Sequence, residues 1–271
     1  MLGKCVLCRN PSELRDSHFL PAALYKAVAQ VQAPYDDAPV MMSIPRGTAI
    51  QRNYQARKHA LCPECEQRFS ANGEARVVAA CHRKDGEFKL RDRLQALKPC
   101  VTRNGRAIYY GHNLPTELAA PAYGYFALSV IWRASAIAWG GDTGVIPGCL
   151  GKNYEEAFRN FLLGDSNFPD NTAVNVHVYF DADPLTFMAF PTHRKVEAHG
   201  RRFSEHTLII PGMTFKIWVG RGVSELETMS GSQQGYPTFF DTKFIGSDLH
   251  KRVLADTRTL VPKGKLAREQ T

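Results

Sequence analysis

The chain has 271 residues, 44% of them hydrophobic, so it is long enough to bury one large core or two modest ones. Its longest apolar stretch, 123–140, contains an arginine and small polar residues, and the N-terminus lacks the pattern of a secretory signal, which predicts a soluble cytoplasmic protein and excludes a membrane-spanning one. The net charge of +8 favours polyanionic partners, because each neutralised phosphate releases counterions, although a solvated basic surface accounts for the same excess.

The first predicted element is a zinc knuckle. Cys5 and Cys8 form a Cys-x-x-Cys pair, whose tight turn lets both thiolates face one metal. Apolar residues at helical intervals then predict a helix over 19–32, which Pro34 ends. The proline- and glycine-rich residues 34–54 predict an exposed connection or an irregular hairpin.

A second cysteine pair opens the next helix. Cys62 and Cys65 precede residues 66–81, which contain good helix formers but are interrupted by Asn72-Gly73, so a kinked or two-part helix is expected. The polar-apolar alternation over 88–92 then predicts the start of a short strand.

The second half of the chain follows a boundary predicted near residue 100. It opens with a short strand over 106–111 and a central helix over 116–139, in which Arg133 shares a side with apolar residues and must either pair with a carboxylate or reach an anionic groove. Another helix, 154–163, precedes four strand-like runs at 173–180, 185–190, 206–210 and 214–219. The predicted class is therefore α+β, with a zinc domain over 1–100 and, over 101–271, a lobe of antiparallel sheet packed on helices.

The two cysteine pairs supply four soft thiolates, the number and type of ligand that close a tetrahedral zinc site. Cys5, Cys8, Cys62 and Cys65 are the predicted ligands of one structural Zn²⁺. A disulfide exchanger would place one pair at a helix start beside a strand-helix-strand unit, a context that the sequence lacks. An odd total of seven cysteines also fits a reducing compartment better than a disulfide framework.

A histidine phrase lies between the two pairs. The chain contains, in order, the first pair, then Ser17-His18-Phe19-Leu20-Pro21, then Leu61-Cys62-Pro63-Glu64-Cys65 leading into a helix. This order resembles the zinc-bearing branch of the HNH endonuclease superfamily, and the wider pattern is similar to an uncharacterised bacterial group of HNH-like proteins. The resemblance covers the first third of the chain. It implies a ββα-metal, treble-clef-like domain in which zinc ties a hairpin to a helix and His18 is the general base of a metal-dependent cleavage of DNA.

The sequence departs from that family pattern at three positions. The residue before the base histidine is usually an acidic or histidine ligand, but here it is Ser17. The asparagine that orients the base is replaced by the neighbourhood of Lys58-His59, and the histidine that often follows the second knuckle is Glu66. A carboxylate still suits a hard cation, so Glu66 is a candidate catalytic residue that would hold Mg²⁺ or Mn²⁺.

Two further carboxylates are candidate ligands of such a cation. Glu74 falls two helical turns beyond Glu66, and Asp16 lies two residues before His18. The same residues also have structural interpretations, in which His18 caps a helix or bonds a knuckle carbonyl and the glutamates are solvated. Two functions therefore follow from the sequence: an HNH-like endonuclease acting on DNA, or a catalytically inactive zinc module that binds nucleic acid or a protein partner.

Overall fold

The computed structural model describes residues 1–32, 38–83, 85–140, 143–181, 187–198, 200–223 and 235–268. Its first hundred residues contain short strands and helices. In chain order they are β1 (Leu2–Lys4), β2 (Pro11–Glu13), β3 (Arg15–His18), α1 (Ala22–Gln32), β4 (Val40–Ser43), β5 (Thr48–Gln51), β6 (Arg57–Leu61), α2 (Pro63–Phe69), a π-helical turn (Ser70–Glu74), α3 (Ala75–Ala80) and α4 (Lys89–Gln95).

Apart from helices α1 and α4, these elements form three small sheets and one interrupted helix. Strands β1 and β2 pair as a hairpin around the first cysteine pair, and β3 pairs antiparallel with β6, so that His18 lies opposite Arg57. Strands β4 and β5 form a hairpin, one of the two alternatives predicted for this part of the chain, with a short 3₁₀ turn between them. Cys62 ends the β6 segment and caps α2, and Pro63 occupies the first helical position, where its missing N–H costs little.

The predicted interruption at Asn72-Gly73 is a π-helical turn that joins α2 to α3. Gly73 is buried there, and a Cβ atom at this position would lie 2.9 Å from the backbone nitrogen of Phe126. Glycine is therefore required because the backbone of a second helix approaches too closely for any side chain.

Most of the remaining residues build a large sheet packed against one long helix, and the last strand pairs with β5 in a small sheet. In chain order the elements are β7 (Val101–Arg103), β8 (Arg106–Tyr110), α5 (Ala120–Ala136), α6 (Lys152–Leu163), β9 (Thr172–Tyr179), β10 (Ala189–Ala198), β11 (Arg201–Ile210), β12 (Met213–Val219), β13 (Thr238–Thr242), α7 (Asp248–Thr259), β14 (Val261–Lys263) and α8 (Lys265–Arg268). The strand order in the sheet is β10-β11-β12-β9-β13-β8-β7. Nearly every residue of α5 is buried, as expected of a central helix.

The α+β class is confirmed, but two details of the prediction are wrong. Strand β13 runs parallel to β9, whereas the other neighbours in the large sheet are antiparallel, because side-chain alternation specifies a face and not a strand direction. The strand expected over 88–92 is helix α4, since Leu90 and Leu94 are both buried at the i, i+4 spacing of a helix. The expected strand 185–190 lies partly outside the described residues, and β10 begins at Ala189.

The main hydrophobic cluster of the described chain includes residues from both sides of residue 100. Phe126 and Tyr123 of α5 contact Phe215 and Phe239 of the sheet, with ring centroids 5.5 and 5.2 Å apart. In the described residues no helix is both long and apolar enough to cross a bilayer.

Candidate metal centre and the adjacent polar site

The four cysteines that the sequence singled out converge. The Sγ atoms of Cys5, Cys8, Cys62 and Cys65 all lie within 4.8 Å of one another, and those of Cys8 and Cys62 are 3.9 Å apart. A tetrahedral zinc site with Zn–S bonds of about 2.3 Å requires sulfur atoms about 3.8 Å apart. The cluster therefore has the dimensions of a closed site for one metal ion such as zinc.

The local backbone structure directs the four thiols toward one another. Cys5 and Cys8 lie in the turn between β1 and β2, while Cys62 and Cys65 occupy the cap and first turn of α2. The backbone N–H of Cys62 donates to the Cys5 sulfur at 3.3 Å, a bond that favours a thiolate. Cys5, Cys62 and Cys65 are buried and Cys8 is partly exposed.

The crowded sulfur atoms cannot all ionise without a cation. A hydrogen bond from Cys65 lowers the pKa of Cys5 to about 4, and the same bond raises the pKa of Cys65. Burial is the main cause that raises the pKa of Cys62 to about 11. A divalent cation would replace the protons that the sulfur atoms share, and soft thiolates favour zinc among the common biological cations.

His18 is half-buried at the end of β3, and one of its two ring nitrogens forms a hydrogen bond. Its Nε2 atom is 2.8 Å from the Oε1 atom of Gln55, a residue that lies just before β6. An amide oxygen only accepts, so Nε2 is the donor, and in the neutral ring Nδ1 keeps its lone pair. The backbone carbonyl of His18 accepts a bond from Nη1 of Arg133 at 3.2 Å. The imidazole is thus fixed in the tautomer that leaves Nδ1 able to accept a proton.

Glu66 lies near His18 in the first half of the interrupted helix. Its Oε1 atom is buried and has no hydrogen-bond partner among the described residues. Burial raises the pKa of Glu66, while a bond from the Ser17 hydroxyl and the positive charge of Arg133 lower it less. The charge of Glu74 also raises the pKa of Glu66, whereas His18 lowers it. His18, Glu66, Glu74 and Arg133 therefore form one polar site beside the cysteine cluster.

Glu74 is already neutralised in this site. Its Oε1 atom lies 2.6 Å from Nη2 of Arg133, and both side chains are largely buried. Arg133 also donates to the carbonyl and hydroxyl oxygens of Ser129, one turn earlier in α5. Arg133 therefore pairs with a carboxylate, which is one of the two alternatives that the sequence left open.

Asp16 does not join the polar site. It forms an exposed ion pair with Arg57 at 3.1 Å, on the partner strand of the hairpin. Among the described residues, only the four cysteines form a group of three or more side chains placed to hold a metal ion. Of the three candidate carboxylates, Glu66 is thus the one with a buried oxygen that has no hydrogen-bond partner in the described chain.

Sequence reasoning missed Gln55. The expectation placed any orienting residue near Lys58-His59, but His59 bonds the carbonyl of Leu14 and Lys58 bonds the carbonyl of Ala138. Gln55 falls in an irregular segment before β6, where no periodicity marks a residue as functional. Its place opposite the end of β3 follows only from the register of the hairpin.

Comparisons with known protein families, with curated proteins and with solved structures found no match to this chain.

Proposed function

We propose that this protein is an HNH-like, metal-dependent endonuclease, or a close relative of such nucleases, that acts on phosphodiester bonds of DNA. The observation that carries the proposal is that His18, held by Gln55, acts electrostatically on Glu66, a buried carboxyl with one oxygen that has no hydrogen-bond partner in the described chain. A nuclease of this kind needs a fixed base and an oxygen ligand for a cation in one site.

The order of elements supports the same proposal. A knuckle with two cysteines, the antiparallel pair β3-β6 and a helix that begins at the second cysteine pair together form a ββα unit tied by one metal. Residues 19–56, including α1 and the β4-β5 hairpin, are inserted between its two strands. We assign zinc to the four thiolates, in a structural role.

The chain's own residues account for the acid-base chemistry. In this proposal His18 takes a proton from a water molecule at Nδ1, while Gln55 keeps the other nitrogen protonated. With Glu66 and Glu74 ionised, Arg133 leaves the site with a net charge of −1, which suits a hard cation on Glu66. Mg²⁺ or Mn²⁺ held there would stabilise the charge that develops on the scissile phosphate.

Cleavage of supercoiled plasmid tests this proposal. Zinc-loaded protein should nick the DNA when Mg²⁺ or Mn²⁺ is added, and His18→Ala should lower the rate by at least about 100-fold, the usual contribution of a general base. His59→Ala, on the exposed part of the same hairpin, is the matched control and should cleave normally. Zinc content measured for each variant separates loss of chemistry from loss of fold. Wild-type cleavage by His18→Ala would remove this histidine from the mechanism.

One observation favours a second function, that of an inactive zinc module binding nucleic acid or a protein. Arg133 neutralises Glu74, and Arg57 pairs with Asp16. Two of the three candidate carboxylates are therefore already paired with arginines and less available to a cation. This alternative predicts salt-sensitive retention of DNA without cleavage in any divalent cation. Mn²⁺ binding measured by electron paramagnetic resonance distinguishes the two, since Glu66→Gln should abolish it only if the site holds a cation.

A further inference from the structure

One face of the large sheet carries a cavity far from the cysteine cluster in sequence. The strand register places alternate residues of β8, β13, β9 and β12 on this face, while Val176, Phe215 and Phe239 point to the core on the other side. The cavity has a volume of about 520 Å³ and is lined by aromatic, cationic and amide side chains. We call it the sheet-face cavity.

Three aromatic residues line the sheet-face cavity and stay half-exposed. This aromatic trio consists of Tyr110 on β8, Trp218 on β12 and Phe240 on β13. Phe240 stacks on His177 with a ring separation of 5.1 Å and an angle of 17°. Burial, aided by the charges of Lys216 and Arg106, lowers the pKa of His177 to about 3, so the stacked pair is uncharged. Rings at the mouth of a cavity offer flat surfaces for another π system.

Three cations line the same cavity. This cationic trio consists of Arg103, Arg106 and Lys216, and no carboxylate forms an ion pair with any of them in the described part of the chain. Arg103 and Arg106 lie directly opposite each other in the β7-β8 pair, where like charges are destabilising. The nearby carboxylate of Glu205 already accepts bonds from Arg194 and from the indole of Trp218. The three cations outnumber the two carboxylates on which their charges act, Glu205 and Asp241, so the group is complementary to an anion.

A buried amide adds a specific polar contact. Asn175 lies on β9, lines the sheet-face cavity and is 3% exposed. Its Oδ1 atom has no hydrogen-bond partner among the described residues. A buried acceptor without a partner is costly, and a ligand N–H would satisfy it.

We propose that the sheet-face cavity binds single-stranded nucleic acid. Bases stack on the aromatic trio, phosphates contact the cationic trio, and an exocyclic amino group of one base donates to Asn175. Single strands fit this chemistry better than duplexes, because only unstacked bases expose a π face and a Watson-Crick edge together. The inference does not require the cleavage chemistry proposed for His18, since an inactive protein would bind equally well through this face.

Fluorescence anisotropy of a labelled 12-nucleotide single strand, with zinc-loaded full-length protein and no added Mg²⁺ or Mn²⁺, tests the inference. Trp218→Ala should weaken binding by roughly tenfold, within the range for loss of one stacked base. Arg106→Gln should weaken binding and lower the slope of log affinity against log salt by about 0.7, the value for one phosphate contact in a single strand. Arg106 is exposed, so this variant does not depend on repacking of the sheet.

Arg202→Gln is the matched control, since it removes the same charge from an arginine whose side chain is 85% exposed and which does not line the sheet-face cavity. Binding by this control should stay within about twofold of wild type, because an exposed charge elsewhere contributes little. Equal weakening by Arg106→Gln and Arg202→Gln would overturn the proposal, since the affinity would then follow net charge alone. Equal affinity for a duplex of the same length, or displacement of the strand by a mononucleotide at the same concentration, would also overturn it.

Discussion

Replacement of Arg133 by methionine should destabilise the fold more than any other single change in the polar site. The guanidinium is 2% exposed and is bonded to Glu74, to the carbonyl of His18 and to Ser129. Its carbon atom also lies 5.1 Å from the centroid of Phe69. Methionine can occupy much of the same volume but leaves the Glu74 carboxylate without its partner.

The size of the effect follows from burial. Removing one partner of a buried ion pair costs about 3–5 kcal/mol, because the remaining charge is uncompensated. Glu74 is 14% exposed, so water reaches its carboxylate in part and we expect the lower end, about 3 kcal/mol. The double variant Arg133→Met/Glu74→Leu removes both charges and should recover most of that loss. The stability of Arg133→Lys should lie between those of Arg133→Met and the double variant. One ammonium keeps a positive charge beside Glu74 but cannot reproduce the planar fork that spans Glu74 and the His18 carbonyl.

Urea unfolding followed by tryptophan fluorescence, at saturating zinc, measures these differences. Zinc content must be equal in all variants, since loss of the metal would lower stability for a separate reason. A loss below about 1 kcal/mol in Arg133→Met would refute the reasoning, as that is the value of an exposed pair. A double variant no more stable than Arg133→Met would refute it as well, because the cost would then come from packing and not from the stranded carboxylate.

Three other outcomes follow from the geometry. Native protein should contain one zinc ion per chain by mass spectrometry, and Cys62→Ser should lose the metal together with the folded structure of the first hundred residues; a zinc-free native protein would contradict the cysteine assignment. Glu66→Gln should raise the melting temperature of zinc-loaded protein at pH 7.5 without added Mg²⁺ or Mn²⁺. Burial raises the pKa of Glu66, so the stability contributed by its protonated form is fully present below the ordinary value of 4.5 and is lost as the pH rises through the folded pKa. The gain should vanish at pH 4, and a variant less stable than wild type at pH 7.5 would show that the carboxylate is well compensated. Gly73→Ala should destabilise by about 1–3 kcal/mol in thermal or urea unfolding although alanine is the better helix former, because its Cβ would lie 2.9 Å from the Phe126 nitrogen; a more stable variant would mean that the helices can separate.

The cysteine cluster could be predicted because the spacing of its cysteines along the chain is itself typical of a metal site. Each Cys-x-x-Cys pair supplies two of the four ligands of a tetrahedral site. Few arrangements other than a shared metal ion accommodate four thiolates together. The neighbourhood of His18 and Glu66 followed from the same argument, since a metal that joins the first pair to α2 also brings the intervening strand to the helix.

The partners within the polar site could not be predicted. Arg133 was expected either to pair with a carboxylate or to reach an anionic groove. Nothing in the sequence distinguishes Glu74, 59 residues away from Arg133, from the other glutamates of the chain. Gln55 holds His18 across 37 residues, through a register that depends on how the long insertion folds. The segment 88–92 shows a related limit, because one short alternation fits a strand and the start of a helix equally well.

The large sheet was also only partly predictable. Strands β8, β9, β11 and β12 were expected from alternating or continuously apolar runs, whereas β7 and β13 were not predicted. The same alternation leaves the opposite face unspecified, and the cavity there arises only when β8 and β13 join β9 and β12 side by side. A binding surface built from four strands that are distant in sequence has no local signature.

The boundary near residue 100 stays a prediction about independent folding, and contacts across it connect the polar site to the second half of the chain. Arg133 holds the backbone of His18, Arg159 donates to the carbonyl of Leu7, and the rings of Phe19 and Trp139 lie 5.0 Å apart. The position of the proposed base therefore depends on α5 as well as on the metal. A substitution in α5 can displace His18 while all four thiolates keep their ligand geometry, so zinc content and DNA cleavage need not fall together.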